Sequence, residues 1–115
     1  DQYEEWIAPV FRASRASDHD TLVTIRSVHE STGMLIDPHT AVGVKAAREH
    51  KRDGVPMVTM ATAHPAKFPD AVERATGARP ALPAHLADLM DRPERTVMLP
   101  NELSAVEKFV ASVAR

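Results

Sequence analysis

Val55 to Met60 is an apolar run rich in valine and methionine, too short for a core helix and of the right length for a strand buried on both faces. Thr96 to Leu99 is the second strand candidate, and the other periodic stretches read as helix. One or two strands do not readily complete a two-layer α/β core, and an unpaired apolar edge favours association or disorder. The expectation is a helix-rich chain with one or two short strands.

The helical segments carry their own punctuation. Tyr3 to Ser14 groups Trp6, Ile7, Val10 and Phe11 on one side, although Pro9 interrupts it. Ser17 and Asp20 have capping-box spacing ahead of Leu22, Ile25 and Val28, which predicts a helix from about Asp18 to His29 that stops near Gly33. Asp37-Pro38 is a strong helix start, because the aspartate accepts from free first-turn amides and a proline there sacrifices no bond. That helix should reach about Arg52, with Ala41, Gly43, Ala46 and Ala47 allowing close packing and Asp53-Gly54 turning the chain. Pro65 opens another helix through Phe68, Ala71, Val72 and Ala75 to Gly77. After a proline-rich loop, His85 to Met90 allows one or two helical turns before Pro93. Ser104 and Glu107 form a capping box for a terminal helix carrying Val106, Phe109, Val110 and Val113.

At 115 residues, one domain or part of one is the ceiling. A net charge of -2 argues against a nucleic-acid partner. The absence of cysteine removes disulfides, iron–sulfur clusters and cysteine catalysis. No run approaches the ~20 apolar residues of a membrane span, no signal-peptide pattern opens the chain, and a cytoplasmic protein without a membrane partner is expected. The first residue is Asp1 rather than methionine, which points to processing, tag removal or truncation.

In α/β proteins ligands gather where strands give way to helix N-termini, and Thr62 to Ala66 fits that place. Pattern alone favours the reading that Thr62 and His64 only satisfy backbone groups of the loop. Asp37 and Pro38 are accounted for by capping, which leaves His39 unassigned, and Lys67 reads as a solvated surface charge. The six histidines contain no i, i+4 pair and no HExxH segment, so no metal site is expected. The glycines at 33, 43, 54 and 77 are scattered singly and form no phosphate-cradling loop, and no G-x-S-x-G elbow is present.

Two junctions are less generic. Leu35-Ile36-Asp37-Pro38-His39-Thr40-Ala41-Val42-Gly43 and Thr59-Met60-Ala61-Thr62-Ala63-His64-Pro65-Ala66-Lys67-Phe68-Pro69 together resemble the C-terminal motifs of threonine synthases, as does Leu99-Pro100-Asn101-Glu102-Leu103 before a closing helix. The resemblance runs from roughly Thr32 to the end. It implies that residues 1–115 are the C-terminal segment of the large, cofactor-binding domain of a fold-type II pyridoxal-phosphate enzyme, which acts on O-phospho-L-homoserine and water to give L-threonine and phosphate. In that family the Schiff-base lysine and the glycine-rich phosphate loop lie well upstream and match nothing here. No catalytic residue is therefore expected in this segment, which alone should be inactive. Its partner would be the rest of its own polypeptide, against which Val55 to Met60 would be paired or covered.

The resemblance further implies that the segment supplies the hydroxyl facing the pyridine nitrogen, and Thr62 is the candidate. An aspartate there would keep the ring nitrogen protonated, whereas a neutral hydroxyl tunes the ring more gently. Ala63 and His64 would lie just behind that contact. His39 would either serve the substrate phosphate or pack, and packing is the favoured reading. The alternative is a standalone helical binding or regulatory module descended from such an enzyme.

Overall fold

The computed structural model describes residues 2–114. They form two units, one ending at Leu82 and the other beginning at Pro83.

The first unit is built on three α-helices: α1 (Asp18–Thr32), α2 (Pro38–His50) and α3 (Pro69–Thr76). Helix α1 starts on the expected box, with the Ser17 hydroxyl accepting from the Asp20 amide while the Asp20 carboxylate accepts from the Ser17 amide. It runs a turn beyond His29 and ends at Gly33, whose φ of 74° is left-handed and free of a Cβ penalty in glycine. Gly77 closes α3 in the same way at φ 76°. Helix α2 ends two residues short of the expected Arg52.

Helix α1 packs on both α2 and α3. The apolar contacts centre on Ile25, Ile36, Ala41 and Ala75, with Leu22, Val28 and Val44 against them. Ile25 and Val72 are fully buried, and each such side chain contributes roughly 2 kcal/mol of transfer free energy. Polar ties supplement this core: Arg26 Nε donates to the Ala75 carbonyl at 2.8 Å, and Ser14 Oγ meets His50 Nε2 at 3.0 Å.

The expected strands are absent. Among the described residues no strand forms, and both Val55 to Met60 and Thr96 to Leu99 are irregular. Pro56 has no N–H to donate to a ladder, and an extended segment without a neighbouring strand cannot satisfy its backbone groups. Val55, Met57, Val58 and Met60 are instead 47–78% exposed. The segment passes close to α2 at Gly43, where an added Cβ would come within 3.2 Å of Thr59 Cγ2. The small residues of α2 thus admit an extended chain rather than a sheet.

Two further expectations change. Pro65 opens a 3₁₀ turn, Pro65–Lys67, and α3 begins only at Pro69, because each proline suits a first helical position but not an interior one. The N-terminal helix shrinks to a π-helical turn, Tyr3–Ile7, ahead of Pro9.

The second unit contains two 3₁₀ turns, Ala84–Leu86 and Leu89–Asp91, and helix α4 (Leu103–Val113). The Ser104–Glu107 capping box does not form. Helix α4 starts earlier, with Glu102 as its N-cap and no side-chain cap bond, which places Ser104 inside the first turn. None of the residues of α4 is buried.

Candidate functional site

The site lies where the start of α2 meets the loop of residues 61–64. Asp37 is fully buried at the N-cap of α2. Its Oδ1 accepts from the amides of His39 at 2.9 Å and Thr40 at 3.3 Å, and its Oδ2 accepts a short hydrogen bond from the Thr40 hydroxyl. Burial pushes the Asp37 carboxyl up, but the bonds from Thr40, His39 and the Ala63 amide outweigh it and hold the group below the usual carboxylate range. The aspartate is therefore ionised at neutral pH, at the positive end of a helix.

Thr40, itself 6% exposed, connects this carboxylate to the loop. Its Oγ1 accepts from the Thr62 amide at 3.1 Å and lies 3.4 Å from Thr62 Oγ1. Thr62 is exposed. Asp37 and Thr40 thus form a buried anchor, with Thr62 as its surface terminus beside an open cleft of about 830 Å³. The cleft is lined on the α2 side by His39, Gly43 and Ala47, and on the facing segment by Met57, Thr59 and Thr62.

The other sequence candidates fall around this anchor. The His39 ring is exposed and packs on Phe68, with centroids 4.9 Å apart and planes inclined at 58°, while its Nδ1 lies 3.3 Å from Asp37 Oδ1. His64 Nδ1 accepts from the Ala66 amide at 3.2 Å, which caps the 3₁₀ turn. Ala63 contributes its amide to the Asp37 carboxylate. Lys67 Nζ stands 5.7 Å from the centre of the Phe68 ring, a cation–π distance. Among the described residues no three histidine or acidic side chains are placed to hold a metal ion, and no helix is long and apolar enough to cross a membrane.

Thr40 is the functional-looking residue that sequence reasoning passed over. Its signal was local: a threonine three residues after an aspartate N-cap can return its hydroxyl to the capping carboxylate. Capping accounts for one oxygen of Asp37, and its second oxygen is engaged by the Thr40 hydroxyl.

The arrangement can do one chemical thing well, which is to hold an exposed hydroxyl in a fixed direction against a small polar group. Comparisons with known proteins agree with the motifs that build it. The family described as "Threonine synthase, C-terminal" matches residues 40–110. Threonine synthase of Pseudomonas aeruginosa is 58% identical over 104 residues, which is 89% of this chain and 22% of that protein. That of Corynebacterium glutamicum is 38% identical over 101 residues, 87% of this chain and 21% of its own length. Among solved structures, PLP-bound threonine synthase from Brucella melitensis superposes with a TM-score of 0.76 at 52% identity, covering 91% of this chain and 23% of that one. The Escherichia coli enzyme gives 0.77 at 30% identity, with 96% and 26% covered. This chain spans about a quarter of the length of these relatives, and with the family match extending over more than half of it, it belongs to the threonine synthase family.

Proposed function

We propose that this chain is the C-terminal segment of the large domain of a threonine synthase, and that Thr62 presents its hydroxyl to the pyridine nitrogen of pyridoxal phosphate. In the full-length protein the reaction is the conversion of O-phospho-L-homoserine and water to L-threonine and phosphate, in the cytoplasm. The observation that carries the reading is the contrast between an exposed Thr62 and its buried anchor. The Thr40 hydroxyl ties the Thr62 amide to the carboxylate that caps α2, which holds Thr62 in place at the surface.

The donor set fits the ring edge of the cofactor. A hydroxyl can donate to or accept from a ring nitrogen, and this one sits at the edge of a cleft. Bound there, pyridoxal phosphate supplies the electron sink for chemistry at the amino-acid carbons. The segment's share is orientation: Asp37 and Thr40 fix the 61–63 backbone, and the Phe68–His39 pair packs its flank. Catalytic proton transfer and the covalent lysine are assigned to the remainder of the polypeptide.

In the full-length protein, Thr62→Val keeps the shape of the side chain and removes its hydrogen bond. The expected outcome is an altered cofactor absorption spectrum and a turnover lower by on the order of tenfold, the equivalent of one hydrogen bond. A variant with the parental spectrum and rate overturns the assignment of Thr62. A full-length parental protein that releases no phosphate from O-phospho-L-homoserine overturns the activity.

A further inference from the structure

Asp53-Gly54 is the one place in the sequence where an aspartate precedes a glycine. It forms the middle of a turn between α2 and the irregular segment that starts at Val55, closed by the Val55 amide on the Arg52 carbonyl at 3.3 Å. Gly54 has φ 72°, the left-handed value that a type II turn requires at its third position. A turn closed in this way engages its first carbonyl and its last amide. The amide between Asp53 and Gly54 is left to solvent.

Both residues are exposed, and among the described residues neither the Asp53 carboxylate nor the Gly54 amide has a hydrogen-bond or ion-pair partner. A Cβ built on Gly54 would meet nothing within 4 Å, so no neighbouring group shields the peptide. The other described aspartates each lack one of these conditions. Asp20 accepts from Ser17, and Asp37 is buried and precedes a proline, whose nitrogen has no proton to lose. Asp70 and Asp88 are paired with Arg79 and Arg92. Asp18 and Asp91 sit in helical backbone and precede the larger His19 and Arg92.

We propose that Asp53-Gly54 is a modification site, at which the backbone isomerises through a succinimide. The Gly54 amide nitrogen attacks Cγ of the Asp53 side chain. The N–Cγ bond forms while the Gly54 amide proton and the hydroxyl of the protonated carboxyl leave together as water, which closes the ring. A second water then opens it. Attack on Cγ restores aspartate, whereas attack on the former main-chain carbonyl gives isoaspartate, with the chain routed through Cγ and a free α-carboxylate. Water is lost and regained, nothing is oxidised or reduced, and the product has the mass of the starting protein. Glycine contributes twice, since it carries no side chain to obstruct the nitrogen and its φ freedom lets the turn deform toward the ring. The isomer places one more backbone carbon at the joint between α2 and residues 55–62, a segment that meets α2 again where Thr59 lies against Gly43 and where the Thr62 amide reaches Thr40.

The test is to incubate the full-length protein at neutral pH in water enriched in oxygen-18, cleave it after lysine in ordinary water, and follow the peptides by mass. The peptide of residues 52–67 holds Asp53 as its one acidic side chain, so label in it reports that residue. The peptide of residues 68–108, with Asp70, Asp88 and Asp91 and no Asp-Gly pair, is the internal comparison. Label should accumulate in 52–67 well ahead of 68–108. Part of the labelled peptide should elute separately and accept a methyl group from an isoaspartyl methyltransferase. Asp53→Glu, whose side chain is one carbon too long for this ring, should lose the label, and Gly54→Ala should fall to the level of the comparison peptide.

Equal labelling of the two peptides in the parental protein overturns the proposal, because the turn would then be no more reactive than an ordinary aspartate. Label that persists in Asp53→Glu overturns it as well, since the oxygen would have entered elsewhere in the peptide. Undiminished label in Gly54→Ala would mean that the glycine turn does not set the reaction, and the assignment to Asp53-Gly54 would fall with it.

Discussion

The two units handle the same resource, an amphipathic helix, in opposite ways. In the first, α1 finds α2 and α3 within its own unit and buries Ile25, while a polar knot at Asp37 closes the junction with the loop. In the second, α4 carries Val106, Val110 and Val113 at helical spacing, yet these are 41%, 54% and 58% exposed. An apolar stripe of that kind signals a covering surface. Helix formation therefore reports local sequence, whereas burial reports what else is present. We assign the covering surface of α4, like that of Val55 to Met60, to the rest of the synthase polypeptide.

The sharpest way to break this comparison is to truncate one apolar side chain in each unit. Ile25→Ala should cost about 3 kcal/mol in chemical denaturation of the isolated segment, because it opens a cavity in a packed site. Val110→Ala should hardly move the same curve, since that residue is largely exposed. Equal losses would mean that α4 is packed in solution.

Paired aspartates give the next largest contrast. Asp37→Ala should cost about 2 kcal/mol, because it removes a helix cap and orphans the Thr40 hydroxyl. Asp88→Ala, which removes an exposed ion pair with Arg92, should leave the denaturation curve where it was. The Asp37 effect should also depend on pH. Its folded carboxyl binds a proton more weakly than the unfolded one, whose ordinary value is 3.8. Its contribution is thus fully present above that value and is lost as pH falls through the lower folded value. Measured from pH 7 to pH 2, Asp37→Asn should flatten the acid limb of stability.

The smallest effect is expected at Gly43. Alanine gains up to about 1 kcal/mol of helix propensity, and its Cβ would press on Thr59 Cγ2 at 3.2 Å. Thr59 belongs to an irregular segment that can yield, so Gly43→Ala should be neutral to slightly stabilising by thermal melting. A loss above 1 kcal/mol would mean that residues 55–60 are held rigidly against α2.

These contrasts also explain what the amino-acid order could convey. Ser17 with Asp20, Asp37-Pro38, Gly33 and Gly77 act on groups within a few residues, and each marks a real helix boundary. The strand expected at Val55 to Met60 does not form because a strand needs a second one beside it, and because Pro56 within the run has no N–H for a ladder. The Ser104–Glu107 spacing failed for another reason: Glu102 can begin the helix two residues earlier, and spacing does not choose between overlapping starts. In the site, the motif of residues 59–69 was legible as a family resemblance. Thr40 was not, since its partner Thr62 lies twenty-two positions along the chain and only the fold brings their oxygens to 3.4 Å.

The central claim is that a buried Asp37–Thr40 pair aims Thr62 at the cofactor. A crystal structure of the full-length protein with pyridoxal phosphate tests it most directly. The account predicts Thr62 Oγ1 within hydrogen-bond reach of the ring nitrogen, about 2.6–3.2 Å, with the Asp37–Thr40–Thr62 contacts intact. A different side chain against that nitrogen, with Thr62 turned to solvent, would contradict it.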